Sequence, residues 1–170
     1  MADKAQRLVC LKTHAALYVE DRLTVLYQIQ EMLRVERIFE GDAIEEEMAA
    51  YNPLIPDGDN LKATFMLEYD DVEQRRQALS QLRGIEDQVW LQIGSGERIY
   101  AVADEDLERS NDDKTSAVHF LRFPLDKAAC VAIKAGEAVG IGISHPQFSA
   151  EIMPLPAATA AALAADITAA

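Results

Sequence analysis

The stretch from Leu61 to Tyr69 reads LKATFMLEY, and it decides the fold class. Every second residue from Leu61 onward is apolar. The intervening residues are Lys62, Thr64, Met66 and Glu68. Because successive side chains of a strand point to opposite faces, this period of two predicts a β-strand. One face of that strand is expected in the core, and the other is expected to be wet or lightly covered.

The residues after this strand predict a helix and then a hairpin. Asp70 and Glu73 have the spacing of a capping box, and Gly84 is a natural left-handed stop after a helix that ends near Arg83. Two short apolar runs then flank a Gly-Ser-Gly turn at 94–96, as expected for a β-hairpin.

The same order of elements recurs further along the chain. Residues 117–123 predict a strand, 125–135 a helix, 139–145 a strand and 147–153 its antiparallel neighbour. We interpret this as an internal pseudo-repeat of a β-α-β-β unit over residues 61–104 and 115–154. The predicted fold is therefore α+β, with a mixed, mainly antiparallel sheet packed by helices. Hairpin connections disfavour a doubly wound parallel sheet.

The flanking segments complete a single domain spanning residues 1–170. One or two strands are expected over 7–20, a helix capped by Asp21 over 22–38, and a second helix opened by Asp42 and Glu45. The alanine-rich tail at 155–170 is either a docked helix or a frayed end.

Composition excludes several classes of function. The 170 residues carry a net charge of −13, which repels nucleic acid and anionic membrane surfaces. No run approaches the roughly 20 apolar residues of a spanning helix, so a cytoplasmic protein is expected. Cys10 and Cys130 have no metal-ligand or redox spacing and are expected to be buried or half-buried free thiols. No cofactor is required by the sequence.

Two charged residues fall on the apolar face of the predicted helix over 22–38. That face is formed by Val25, Leu26, Ile29, Met32, Leu33 and Phe39. Arg22 and Glu36 lie within the same arc, where a charge is costly unless it is paired. Either they reach water at the helix ends, or they contribute to a polar site.

Two histidines lie on predicted strands. His119 and Arg122 belong to a strand whose faces are both largely apolar, so they either line a small polar pocket, with Glu36 opposite, or are satisfied separately. His145 ends a strand with a stripe of small residues, Gly140 and Gly142 among them, that admits a close helix or, less commonly, a ligand. A metal site built on the two histidines would need ligands from several elements, and no local metal motif is present.

Several segments together resemble a known family. They are Glu20–Ile38, Tyr51–Pro56, Leu61–Thr64, Leu82–Glu86, Val118–Phe123 and His145-Pro146. This pattern resembles a proteobacterial family of unknown function. The shared segments include Arg22, Glu31, Arg34, Glu36, His119, Arg122 and His145, which we take as the candidate polar pocket, with no catalytic residue and no metal ligand assigned.

The resemblance implies a biological context for the protein. Genes of that family commonly lie beside genes for rubrerythrin-like proteins and cysteine-rich iron–sulfur oxidoreductases. It therefore implies a non-enzymatic accessory protein, or partner, of such a redox system. The alternative is a small-molecule or anion-binding module, or an unfamiliar enzyme, that uses an Arg/Glu/His site. The resemblance also implies a longer basic arm before the first strand, whereas only Met1 to Leu8 precede that strand in this sequence.

Overall fold

Nine strands form two separate sheets in the computed structural model, which describes residues 5–168. The strands are β1 (Leu8–Leu11), β2 (Ala15–Glu20), β3 (Asn60–Leu67), β4 (Val89–Ile93), β5 (Ile99–Tyr100), β6 (Val102–Ala103), β7 (Val118–Pro124), β8 (Val139–His145) and β9 (Phe148–Ile152). The α-helices that follow β2 are α1 (Arg22–Glu36), α2 (Gly41–Tyr51), α3 (Val72–Gln81), α4 (Lys127–Lys134) and α5 (Ala157–Asp166). Short 3-10 helices cover Asn52–Leu54 and Ile85–Gln88.

Both sheets are antiparallel in every described strand pair. The five-stranded sheet has the order β1-β2-β3-β7-β6, and the four-stranded sheet has the order β5-β4-β8-β9. The predicted α+β class is confirmed. The second strand of the hairpin predicted over residues 89–102 is split between the two sheets. Its first part, β5, pairs with β4, whereas the next strand, β6, pairs with β7 of the other sheet.

One hydrophobic core is shared by the two sheets and by α3, α4 and α5. In the register of β2, β3 and β7, Leu17 lies opposite Phe65, and Phe65 lies opposite His119. Directly opposed residues of antiparallel strands point to the same face, so His119 belongs to the core face of the sheet. The residues between them point to the other face, hereafter the outer face.

A helical hairpin of α1 and α2 lies on the outer face. Asp21 caps α1 through a capping box with Thr24, and Arg37, at φ 55°, ends it in the left-handed conformation. Only Val25 and Ile29 of α1 are buried, and no residue of α2 is. Leu26 and Phe39, which the sequence places on the apolar face of this helix, are 47% and 79% exposed.

The alanine-rich tail is a docked helix rather than a frayed end. Leu163 of α5 is fully buried, and the Asp166 carboxylate accepts two hydrogen bonds from the buried Arg7 guanidinium at 2.7 and 2.9 Å. Arg7 also pairs with Asp21 at 2.9 Å, which connects the tail to the start of α1. Within the described residues, no helix is long and apolar enough to cross a membrane.

Candidate functional site

A buried polar cluster surrounds His119 on the core face of β7. Its Nδ1 lies 2.6 Å from Oδ2 of Asp104, and its Nε2 lies 2.8 Å from the Thr115 hydroxyl and 3.1 Å from the Ser116 carbonyl oxygen. The Thr115 hydroxyl donates to Glu86 at 2.9 Å, and the Ser110 hydroxyl donates to the same carboxylate. Four segments of the chain therefore converge on one imidazole.

Hydrogen bonds on both ring nitrogens hold the His119 imidazole in place. The Ser116 carbonyl can only accept, so Nε2 donates to it. Asp104 is itself anchored, because its other oxygen accepts from the Phe120 N–H at 3.0 Å and from Arg109 at 3.1 Å. The ring is therefore held between Asp104 on one side and Thr115 and Ser116 on the other.

The cluster also creates a negative field at its edge. Burial, followed by the neighbouring Glu86 charge, raises the pKa of Asp87 above its ordinary value, while the His119 charge acts in the opposite direction. Asp104 itself is a non-glycine residue at φ 50°, a conformation that Asp tolerates better than most residues. Its backbone turn delivers the carboxylate to His119 directly after β6.

The connectivity Thr115–His119–Asp104 resembles that of a catalytic triad, but the arrangement is closed to a substrate. His119 is fully buried and Thr115 is 1% exposed, so no reacting carbonyl can come within bonding reach of the hydroxyl. Instead, the hydrogen bonds of the cluster hold the acidic segment 104–117 against the core. In this conformation the cluster stabilises the fold.

An open cavity lies on the outer face, on the other side of β7. Its volume is about 290 Å³, and it is enclosed by the ends of β2, β3 and β7, the 3-10 helix at 52–54 and the first residues after β6. Glu20, Lys62 and Arg122 lie side by side across the three strands, because Glu20 is opposite Lys62 and Lys62 is opposite Arg122. Leu54 and Phe120 supply apolar walls.

Each charge in this row has partners. The Lys62 ammonium donates to the Pro53 carbonyl at 2.8 Å and pairs with Asp57 at 3.1 Å. Nε and Nη2 of Arg122 both donate to the Glu105 carboxylate at 2.8 Å. Hydrogen bonds from Arg122 lower the pKa of Glu105, and the interaction raises the pKa of Arg122.

Glu20, the carboxylate of this row, is buried, with 2% exposure. Its oxygens accept from the hydroxyls of Thr24 and Thr64 at 2.6 and 2.7 Å and from the Gln28 amide at 2.9 Å. These donors are neutral, and two of them lie on α1. Glu20 therefore attaches the helical hairpin to the sheet.

The structure places the sequence-predicted pocket residues in several locations. His119 and Arg122 lie on opposite faces of β7, and His145 lies in the other sheet, where its Nε2 is 3.0 Å from the Arg83 carbonyl oxygen. Arg22, Glu31, Arg34 and Glu36 are all on α1, where Arg34 pairs with Glu31 at 2.8 Å on the helix surface. Arg22 and Glu36 are the exposed ends of that helix. The charge of Glu36 contributes, after burial and Glu47, to a raised pKa of Tyr51 in α2.

The partners of these residues were not predicted from the sequence. Asp104, Glu86 and Thr115 complete the His119 cluster, and Lys62, Glu20 and Glu105 complete the charged row. The alternation over 61–69 put Lys62 on the face away from the core, which was the available signal for the row. No local pattern indicated the partners of His119, because they come from separate segments of the chain.

The small-residue stripe of β8 is covered by side chains of the protein itself. A Cβ added at Gly142 would lie 2.2 Å from the Trp90 ring, and one added at Gly140 would lie 2.2 Å from the Met153 sulfur. The expectation of a close helix or ligand at this stripe was therefore wrong. Trp90 lies over Gly142 and donates its indole N–H to Ser144 at 2.8 Å.

The described residues contain no group of three or more His, Cys, Asp or Glu side chains arranged to hold a metal ion. Both cysteines are free. Cys130 is buried as expected, and burial raises the pKa of its thiol, whereas Cys10 is exposed, contrary to expectation.

Three large apolar side chains are exposed together on α1. Leu23, Leu26 and Tyr27 are 57%, 47% and 44% exposed. At 100° per residue they share one helical face with Gln30 and Arg34. We call these five residues the α1 surface. Large exposed apolar patches of this kind mark interaction sites in soluble proteins.

Fold and sites together define the class of this protein: an α+β domain of two antiparallel sheets, with a partly uncovered helical hairpin beside a charged cavity. The chain belongs to the family described as "Protein of unknown function (DUF3501)", whose model matches residues 1–167. A crystal structure of a novel protein of unknown function from Burkholderia pseudomallei K96243 is similar, with 48% identity and a TM-score of 0.89. That match covers 98% of this chain and 86% of the other. No curated protein matches this chain.

Proposed function

We propose that this chain is a non-enzymatic accessory protein that binds a protein partner in an iron–sulfur or rubrerythrin-type redox system of the bacterial cytoplasm. The observation that carries the proposal is the α1 surface, where three large apolar side chains stand exposed on one helix. The closure of the His119 cluster to substrate supports a role without catalysis at that cluster.

The spacing of the α1 surface suits a helix-in-groove interaction. Positions 23, 26, 27, 30 and 34 follow the i, i+3, i+4, i+7 pattern with which helices anchor in apolar grooves. Fully burying a leucine side chain contributes about 1.5–3 kcal/mol. Leu23 and Leu26 alone therefore offer a useful share of the free energy of a cytoplasmic complex.

Charge indicates the chemistry of the partner. The chain carries a net charge of −13, yet Arg22, Arg34 and Arg37 lie along or beside the α1 surface. A partner groove with an apolar floor and a rim of carboxylates would complement the apolar side chains and the arginines of α1. The acidic remainder of this protein would repel the same rim, which disfavours docking anywhere else. We therefore assign the α1 surface to such a groove on the redox partner.

The redox context rests on the resemblance drawn from the sequence, with its neighbouring genes for rubrerythrin-like proteins and iron–sulfur oxidoreductases. The test is a binding measurement between the purified chain and each of those two proteins from the same organism, by biolayer interferometry at two salt concentrations. We expect one of them to bind, with weaker binding at higher salt because the arginines contribute.

A matched pair of variants tests the surface itself. Leu26→Asp should weaken binding by about ten- to a hundredfold, the loss of one buried leucine. Val131→Asp is the control, because Val131 is 49% exposed on α4, against 47% for Leu26. If neither redox protein binds the wild-type chain, the redox role is refuted. If one binds and Leu26→Asp binds equally well, the α1 surface is not the interface.

A further inference from the structure

The cavity on the outer face combines half-buried cations with more exposed carboxylate partners. The Lys62 side chain is 13% exposed and its partner Asp57 is 66% exposed. The Arg122 side chain is 30% exposed and its partner Glu105 is 49% exposed. The cations are therefore the fixed part of the site. Their carboxylates come from loops and lose little hydration when they pair, so they also lose little when they leave.

Glu105 shows what Arg122 is shaped to hold. Two parallel hydrogen bonds of 2.8 Å, from Nε and Nη2, give the bidentate geometry that a guanidinium forms with a planar carboxylate. Glu105 follows β6 by two residues and approaches from the rim of the cavity. A carboxylate from a small molecule can occupy the same two donors once Glu105 swings into solvent.

The acidic surroundings decide how a ligand must bind. Glu20, Glu105 and Asp106 all line the cavity, so an anion that simply joined them would be repelled. Glu20 already accepts from Thr24, Thr64 and Gln28, so these three donors are not open to a ligand. An incoming anion must therefore replace the Glu105 carboxylate on Arg122, which leaves the charge of the site unchanged.

The walls select for an apolar body behind the anionic group. Leu54 and Phe120 line the cavity, and its volume of about 290 Å³ is close to the lower limit of typical small-molecule sites. Inorganic anions would leave these walls wet. A compact organic acid would cover them.

We propose that this cavity binds a small organic monocarboxylate, whose carboxylate displaces Glu105 from Arg122 while Lys62 adds a second positive charge and the apolar body packs against Leu54 and Phe120. This site is separate from the α1 surface and does not depend on the proposed partner.

Benzoate is the probe, and benzamide is its neutral counterpart of nearly the same shape. Binding is measured on the full chain by amide chemical shifts in two-dimensional NMR, with titration to saturation. We expect a benzoate Kd of about 1 mM or tighter, with the shifts centred on residues 62, 105 and 122, and benzamide binding at least about tenfold more weakly.

Substitutions at Glu105 and at Arg122 should change the affinity for benzoate in opposite directions. Glu105→Gln removes the competing carboxylate and should tighten benzoate binding about two- to fivefold. Arg122→Gln should weaken it about ten- to a hundredfold, and Arg122→Lys, which keeps the charge and the fold but not the fork, should also weaken it. The controls are Glu151→Gln and Arg98→Gln, an exposed ion pair at 3.4 Å on the other sheet, which should leave the Kd unchanged.

The proposal is overturned if neither the wild type nor Glu105→Gln binds benzoate at 20 mM, roughly twentyfold above the expected Kd. It is equally overturned if benzamide binds as well as benzoate, or if Glu105→Gln weakens binding. Should Arg122→Gln fail to fold, Arg122→Lys decides, since unchanged affinity in that variant would exclude the bidentate site.

Discussion

Replacing Gly142 with alanine should destabilise the four-stranded sheet through a single contact. The added Cβ would lie 2.2 Å from Cζ2 of Trp90, and ordinary contact begins at 3.4 Å, so the ring must move by about 1.2 Å. Trp90 is 1% exposed, and the Arg98 guanidinium lies over its ring at 4.0 Å from the ring centre. Moving the ring therefore disturbs its contact with Arg98 and its hydrogen bond to Ser144.

The size of the effect follows from two opposing terms. Overpacking of this kind costs about 1–3 kcal/mol. Alanine loses less backbone entropy than glycine on folding, which returns about 0.5–1 kcal/mol. With each term near the middle of its range, we expect a net loss of about 1 kcal/mol, and therefore a fall in Tm of about 2–4 °C for a chain of this length.

Thermal unfolding followed by tryptophan fluorescence measures both consequences, because Trp90 is the single tryptophan of the chain. The native emission of Gly142→Ala should also shift to the red as the ring loses its cover. Gly41→Ala is the control: Gly41 starts α2 with nothing within 4 Å of its added Cβ, so its Tm should not fall. A Gly142→Ala protein with wild-type Tm and emission would refute the packing of Trp90 on Gly142.

Three further predictions concern ionisable groups. His119→Leu leaves the buried Asp104 carboxylate and the Thr115 hydroxyl without their hydrogen bonds to the ring and should cost about 2–4 kcal/mol in urea unfolding; a loss below about 1 kcal/mol would contradict a stabilising role for this cluster. Cys10 should react with a thiol reagent in the native protein, whereas Cys130 should react only after unfolding, and equal native rates would show that its burial is not maintained. Because Arg122 lowers the pKa of Glu105 from its ordinary value near 4.5, the stabilisation from this pair is present above that value and is lost as the pH falls through the lower folded pKa. The Tm advantage of the wild type over Glu105→Gln should therefore be small at pH 7, from a pair worth about 1 kcal/mol or less, and absent near pH 2; an advantage that grew on acidification would contradict this.

The accessible cavity and the closed cluster show why the two faces of β7 have different roles. His119 and Arg122 are three residues apart, so the strand directs them to opposite faces. On the core face, the imidazole is enclosed and holds a loop in place. On the outer face, the guanidinium meets a cavity with a replaceable partner. The candidate for ligand binding is therefore Arg122, with Lys62 and Glu105, and the candidate for protein binding is the α1 surface.

The strands and helices of this protein could be predicted from the amino-acid sequence. The two-residue and 3.6-residue periods of apolar side chains and the capping residues all act locally. The strand at 61–69 (Asn60–Leu67 in the structure), the helix capped by Asp21 and the α+β class were readable in this way. The small-residue stripe was readable too, but what covers it was not.

The contacts between charged and polar side chains that are distant in sequence depend on the tertiary fold. Glu86, Asp104, Thr115 and His119 form a cluster through backbone turns at separate points of the chain, and no periodicity encodes those distances. The crossing of the segment from β5 to β6 between two sheets fixes where Asp104 and Glu105 lie. Strand register then sets Glu20, Lys62 and Arg122 side by side, because register depends on the pairing of whole strands and a slip of one residue would reverse every face.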